Sequence, residues 1–194
     1  MTLDAHAARS EDDLATAPLI ERVTIRYIST EDRILVAGKL PTGQPVMLWM
    51  TQRLLLRVLP RLFQWLEAQG VAADAPSAAP AATTMYSDAL QSFAQHAAVQ
   101  QLTPQAPVET PSDTPQHLVD SVVIGRSAVR VHVVFKSAEQ ALLAAMLLDA
   151  QPLRQWLSIV YRQWRNAQWP MDVWPEWLHV ASADVRRDLP EVVH

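Results

Sequence analysis

Residues 33–70 read RILVAGKLPTGQPVMLWMTQRLLLRVLPRLFQWLEAQG, and the other predicted elements are arranged around this stretch. It begins with two short apolar runs on either side of PTGQ (41–44), where proline and glycine favour a tight turn. Thr51 is a good N-cap for a following helix. Leucines then recur at the spacing of one helix face: Leu55, Leu59, Leu62 and Leu66. The stretch therefore predicts two strands joined by a turn, followed by a helix.

Pro60 falls inside that helix pattern. Proline has no backbone N–H, it disfavours helical geometry at the preceding residue, and it costs about 3 kcal/mol in a straight helix. We therefore expect the helix to kink at Pro60 or to break there into a short helical hairpin.

A further strand is predicted before this stretch, over residues 19–29. Val23, Ile25 and Tyr27 alternate with polar side chains, which is the period of two expected for a strand with one buried face. Residues 18–70 thus predict a unit of three strands and a helix. Residues 1–17 are acidic and polar and are predicted to be a disordered tail.

Residues 71–116 change sharply in composition to alanine, proline, threonine, serine and glutamine, which is typical of a flexible linker. Within them, residues 87–102 predict a modest helix on which Leu90, Phe93 and Ala97 share a face. Such a helix is marginal alone. It is expected either to dock weakly on the core or to be a small partner-binding element.

Residues 117–180 predict a second unit. Strand character resumes at 118–124, and 127–135 alternate clearly between valines and polar residues. Residues 141–148, ALLAAMLL, suit either a helix or a strand, and comparison with the first unit favours a strand. Asp149 is positioned to cap a second helix. The apolar face of that helix is predicted to contain Leu153, Trp156, Leu157, Val160, Tyr161 and Trp164. Residues 181–194 are predicted to be a polar C-terminal tail.

The two units have the same order of elements, which suggests an internal duplication. Placing Thr51 on Asp149 puts Leu55 on Leu153 and Leu59 on Leu157. The predicted fold class is α+β, with two strand-strand-strand-helix units forming a mainly antiparallel sheet over one shared core. An alternative with the same order is a small β-sandwich with an inserted helical hairpin and a C-terminal helix.

Composition narrows the function classes. The 194 residues carry a net charge of −4, so the overall field does not favour nucleic acid or anionic lipid. The absence of cysteine excludes disulfides, thiolate catalysis and cysteine-ligated metals. No run of apolar residues is long enough for a membrane span, and residues 1–17 lack the pattern of a secretion signal. We expect a cytoplasmic location.

The sequence contains no recognisable catalytic, cofactor or metal motif. It has no Gly-x-Ser-x-Gly, its four glycines form no phosphate-binding loop, and its six histidines lack ligand spacing. His132 is interpreted as a strand residue and not a ligand. We predict no catalytic residue, cofactor or metal, and we expect the protein not to be an enzyme, with a site assembled from distant residues as the alternative.

Arg53, Arg57 and Arg61 recur every four residues on the first helix. This spacing is typical of a solvated helix face, and it is also suited to binding an anion or nucleic acid. Nucleic-acid binding is therefore an alternative function, although the negative net charge makes it unlikely.

Tryptophans are concentrated near the C-terminus, and residues 168–180, QWPMDVWPEWLHV, form what we call the Trp-Pro arm. Tryptophan is enriched at interface centres. Trp164, Trp169, Trp174 and Trp177 therefore predict a contact surface for another protein or for a second copy of this one. The alternative is that the arm folds back over the protein's own core. The predicted function is that of a non-enzymatic protein-interaction or assembly module. In one form of this hypothesis the partner is a second copy of the chain, which gives a homodimer.

Overall fold

The structure is a computed structural model that describes residues 16–69 and 80–179. The predicted tails, 1–17 and 181–194, lie outside the described residues except for positions 16 and 17. None of the helices within these ranges is both long and apolar enough to cross a lipid bilayer.

The chain has the α+β class that the sequence predicts. The first half contains β1 (Arg22–Ile28), β2 (Arg33–Lys39), β3 (Pro45–Met50), α1 (Gln52–Gln69) and α2 (Pro80–Gln100). The second half contains β4 (Gln116–Leu118), β5 (Ser121–Arg126), β6 (Arg130–Lys136), β7 (Leu142–Asp149) and α3 (Ala150–Asn166). The ambiguous ALLAAMLL stretch is therefore a strand, and helix α2 is longer than the helix predicted for 87–102.

The strands divide between two sheets instead of forming one. The first sheet has the order β1-β2-β3-β4 and is antiparallel except for β4, which runs parallel to β3. The second sheet is antiparallel and has the order β5-β6-β7. The chain changes sheets between β4 and β5, so the strand predicted over 118–124 is two shorter strands.

Two extended segments, 18–28 and 116–126, each start in one sheet and end in the other. Leu19 is bridged to Ala145 of β7, and the Ile20 N–H donates to the Ala145 carbonyl at 2.8 Å, before the segment enters the first sheet as β1. At the other junction, the Val119 N–H donates to Trp49 O and the Asp120 N–H donates to Lys136 O, both at 3.0 Å. The backbone pairings therefore form a closed ring of strands.

Helices α1 and α3 bury their apolar faces against this ring in a single core. Leu59 and Leu66 of α1 and Leu157 of α3 are fully buried in one cluster with residues of both sheets. The shared core agrees with the expectation that neither unit can bury a helix face alone. The order of three strands and a helix occurs twice, but the structure does not establish a duplication, which stays a prediction.

The two helix starts differ in their caps. The Thr51 hydroxyl accepts a hydrogen bond from the Leu54 N–H at 3.2 Å, as predicted for an N-cap. Asp149 occupies the cap position of α3 without a capping hydrogen bond, because its carboxylate pairs with Arg130 Nε at 2.6 Å. Helix α1 continues through Pro60 and does not break into a hairpin. Burial of leucines on both sides of Pro60 offsets the cost of the lost hydrogen bond.

Candidate interaction surface on helix α2

Over residues 86–100, helix α2 exposes its two aromatic side chains and its leucine. Tyr86, Leu90 and Phe93 are 65%, 38% and 75% exposed, and their spacing places them along one side of the helix. We call these three residues the α2 stripe. Apolar residues at i, i+4 and i+7 normally face a core, so their exposure marks this side of α2 as a candidate contact surface.

The opposite side of α2 faces the core and is polar or small. Gln91 and Gln95 are each 1% exposed, and Ala98 is also buried. The helix is therefore inverted relative to an ordinary surface helix, in which polar residues face solvent. The sequence leaves open whether the face with Leu90 and Phe93 docks on the core or binds a partner. In the structure both side chains are exposed, and the glutamines one or two positions away form the docking face.

The buried glutamines hold α2 between α1 and α3. Gln91 Nε2 donates to the Leu66 carbonyl of α1 at 3.1 Å, and Gln95 Nε2 donates to the Arg154 carbonyl of α3 at 3.0 Å. Gln155 of α3 returns a hydrogen bond to Ala98 O at 3.0 Å. Each such bond contributes only about 0.5–1.5 kcal/mol net, so α2 is positioned specifically but not strongly.

Arg154 is the centre of this polar contact and is only 6% exposed. Its guanidinium donates to the Gln91 carbonyl at 3.3 Å and to Gln91 Oε1, and it lies 5.5 Å from the centre of the Trp177 ring. No carboxylate of the described residues forms a salt bridge with it. Burial lowers the pKa of Arg154 to about 10, so it remains a cation at neutral pH. A neutral amide and an aromatic face thus replace a counterion.

The Trp-Pro arm packs on the protein's own core. Trp164, Trp169, Trp174 and Trp177 are all buried. The Trp164 ring makes edge contacts with Trp169 and Trp174 at centroid distances of 4.9 and 5.7 Å. Trp174 and Trp177 also contact Phe63 of α1, at 5.5 and 6.0 Å. The described part of the arm therefore covers the ends of α1 and α3.

Three of the indole N–H groups have partners within the chain. Trp164 donates to Pro170 O and Trp169 donates to the Asp32 carboxylate, both at 2.9 Å, and Trp177 donates to the Glu67 carboxylate at 3.3 Å. This geometry supports the alternative in which the arm covers the core. The use of these tryptophans in binding another chain stays a prediction, and it would require the arm to leave its site.

Arg53, Arg57 and Arg61 lie on the exposed side of α1. None of them forms a salt bridge with a described residue. The structure therefore leaves three cations along one helix side, as the sequence predicts, with no salt-bridge partner among the described residues.

No protein-family model, curated protein or solved structure matches the chain. Within the described ranges, no group of three or more histidine, aspartate or glutamate side chains is placed to hold a metal ion. The absence of catalytic activity stays a prediction.

Sequence reasoning missed Tyr86, Gln91, Gln95 and Arg154. The sequence signal that could have indicated the buried side of α2 is a second set of residues at helical spacing, Gln91, Gln95 and Ala98. This set competes with the apolar α2 stripe for the side that faces the core.

Proposed function

We propose that the protein is a protein-binding module and that the α2 stripe is its contact surface. The observation that supports this is the inverted helix, which buries glutamines while Tyr86 and Phe93 face solvent. The partner class, another protein, is the one that the sequence suggests. The proposed contact surface is α2 and not the Trp-Pro arm, because the tryptophans are already packed against the core.

The partner we propose is a different protein that offers an apolar groove. Anchors at i, i+4 and i+7 are the pattern by which a helix is recognised in such a groove. Between residues 86 and 100, α2 carries one side chain of the Asp, Glu, Lys and Arg types, Asp88, and one histidine, His96. A complementary groove is therefore apolar along its floor and bears few charges on its rim, with a cation opposite Asp88.

Phe93→Glu is expected to weaken partner binding by about 30-fold or more, because truncating or charging a central aromatic anchor typically costs at least 2 kcal/mol. The matched control is Val129→Glu, which charges an equally exposed apolar residue outside α2. The first step identifies proteins that bind to the wild-type chain and to Val129→Glu but not to Phe93→Glu. These proteins are purified, and their affinities for the three chains are measured by calorimetric titration.

Two results would contradict this proposal. The first is a purified partner that binds Phe93→Glu and the wild-type chain with equal affinity. The second is a concentration-dependent dimer in light scattering that Phe93→Glu abolishes, which would make a second copy the occupant instead of a different protein.

A second candidate function is anion or nucleic-acid binding through Arg53, Arg57 and Arg61. Their exposure along one side of α1 without salt bridges to described residues favours it. Binding of this kind weakens steeply with salt. A titration at low ionic strength that detects no binding of single- or double-stranded nucleic acid would remove this candidate.

A further inference from the structure

A cleft separate from the α2 stripe lies between β1, residues 102–107 and one side of α3. Its volume is about 640 Å³, which is within the range of ligand pockets. Ile25, Met146, Trp156 and Ile159 supply apolar lining, and Arg22 and Arg162 are the two arginines among the lining residues. The cleft thus combines an apolar wall with a small number of cationic groups.

Two buried hydrogen-bond donors of residues lining this cleft have no acceptor within the part of the chain that the structure describes. They are Arg22 Nε and Trp156 Nε1, and the Trp156 side chain as a whole is 5% exposed. Buried N–H groups nearly always find a partner in folded proteins, so each exception requires an explanation. Neither atom is accessible to solvent, so an acceptor oxygen held in the cleft would supply the missing partner when the Arg22 or Trp156 side chain turns toward it.

The charges around the cleft favour an anionic acceptor. Glu21 is the only carboxylate among the lining residues, against the two arginines. Neither Arg22 nor Arg162 forms a salt bridge with a described residue. Guanidinium groups recognise carboxylates and phosphates through charge-assisted hydrogen bonds, which are stronger than neutral ones.

We propose that the cleft binds a small amphipathic molecule with one anionic group. The anion contacts Arg22 and Arg162 and provides an acceptor for the unpaired N–H groups, and the apolar body lies along Trp156, Ile159 and Met146. A purely apolar ligand would leave both donors unsatisfied, and a cationic ligand would meet the two arginines unfavourably.

The probe for this proposal is octanoate, with octan-1-ol as its neutral analogue and octylammonium as its cationic one. Binding to the full chain is followed by the indole N–H resonances in ¹H–¹⁵N NMR spectra, and Trp156→Phe identifies the Trp156 resonance. We expect octanoate to shift that resonance saturably and to bind about tenfold more tightly than octan-1-ol, since one charge-assisted contact is worth about that factor.

Arg22→Gln combined with Arg162→Gln is expected to weaken octanoate binding about tenfold or more and to leave octan-1-ol binding unchanged. Arg162→Gln alone changes an exposed side chain and serves where the double variant folds poorly. Arg126→Gln, at an exposed position of β5 outside the cleft lining, is the matched control and is expected to have no effect. The proposal is overturned if octanoate produces no saturable shift at Trp156, if it binds no better than octan-1-ol, or if Arg126→Gln weakens it as much as the cleft variants do.

Discussion

Replacing Trp174 and Trp177 together with alanine is expected to lower the free energy of unfolding by more than 5 kcal/mol. A single buried tryptophan replaced by alanine costs about 3–5 kcal/mol, and a domain of this kind has about 5–15 kcal/mol in total. Both side chains are buried and both contact Phe63, so their removal leaves one large cavity beside α1. The double variant should be largely unfolded.

Urea denaturation followed by circular dichroism measures this effect. Trp49→Ala is the matched control, because Trp49 is only partly buried on β3 and donates its indole N–H to Gln116. Its expected loss is smaller than that of either arm variant. The hypothesis that the arm is a contact surface makes the opposite prediction, namely that the double variant keeps its fold and loses an assembly. A wild-type unfolding midpoint in the double variant would support that hypothesis.

Gln91→Leu is expected to release α2 from the core. Arg154 would keep its charge but lose its acceptor on the Gln91 side chain, Oε1. Once the helix is displaced, Arg154 would also lose its second acceptor, the Gln91 backbone carbonyl. Breaking a buried charged contact by removing one partner costs about 3–5 kcal/mol, which exceeds what the few remaining amide hydrogen bonds supply. Amide hydrogen exchange across residues 86–100 should therefore accelerate by about 100-fold or more, because α2 opens without the rest of the chain.

The informative control is Gln91→Leu combined with Arg154→Leu. Removing the cation as well as its acceptor leaves no buried charge, and replacing both partners by apolar groups is often nearly neutral. The double variant should therefore protect α2 better than Gln91→Leu alone. If the single and double variants exchange equally fast, the charge of Arg154 does not determine how α2 is held.

The local elements near β2, β3 and α1 are predictable because each has its own signal. Gly43 has a φ of 83°, so the turn residue chosen from PTGQ does adopt the conformation that favours glycine. Strand β3 has the predicted limits, Pro45–Met50, and the leucine stripe of α1 is buried as its spacing indicates. In these cases the apolar pattern and the turn residues predict the same element boundaries.

The arrangement of these elements is not predictable in the same way. The ring of strands closes through backbone hydrogen bonds that Ala145 makes with Pro18 and Ile20, and backbone groups carry no sequence signal for their distant partner. Gly125 is paired with His132 across β5 and β6, and an added Cβ would overlap the imidazole ring, so this position requires glycine for a reason that no local motif indicates.

The orientation of α2 is not predictable for a different reason. Its apolar and glutamine stripes have the same helical spacing, and the general preference for burying apolar groups favours the wrong one. Arg154, which lies far along the chain, donates to the Gln91 acceptors on the buried side of α2. We therefore expect this buried cation on α3 to favour the orientation in which the glutamines face the core.

Closure of the strand ring has a consequence for how the protein acquires its structure. The segment at Leu19 can complete its pairing only after β7 has formed, and β7 lies more than a hundred positions later in the chain. Contacts of such long sequence separation slow folding, because chain entropy is lost before they contribute. We expect an early species in which the β1–β2–β3 meander and α1 have already formed, and a slower final step that joins β7 to the start of the chain.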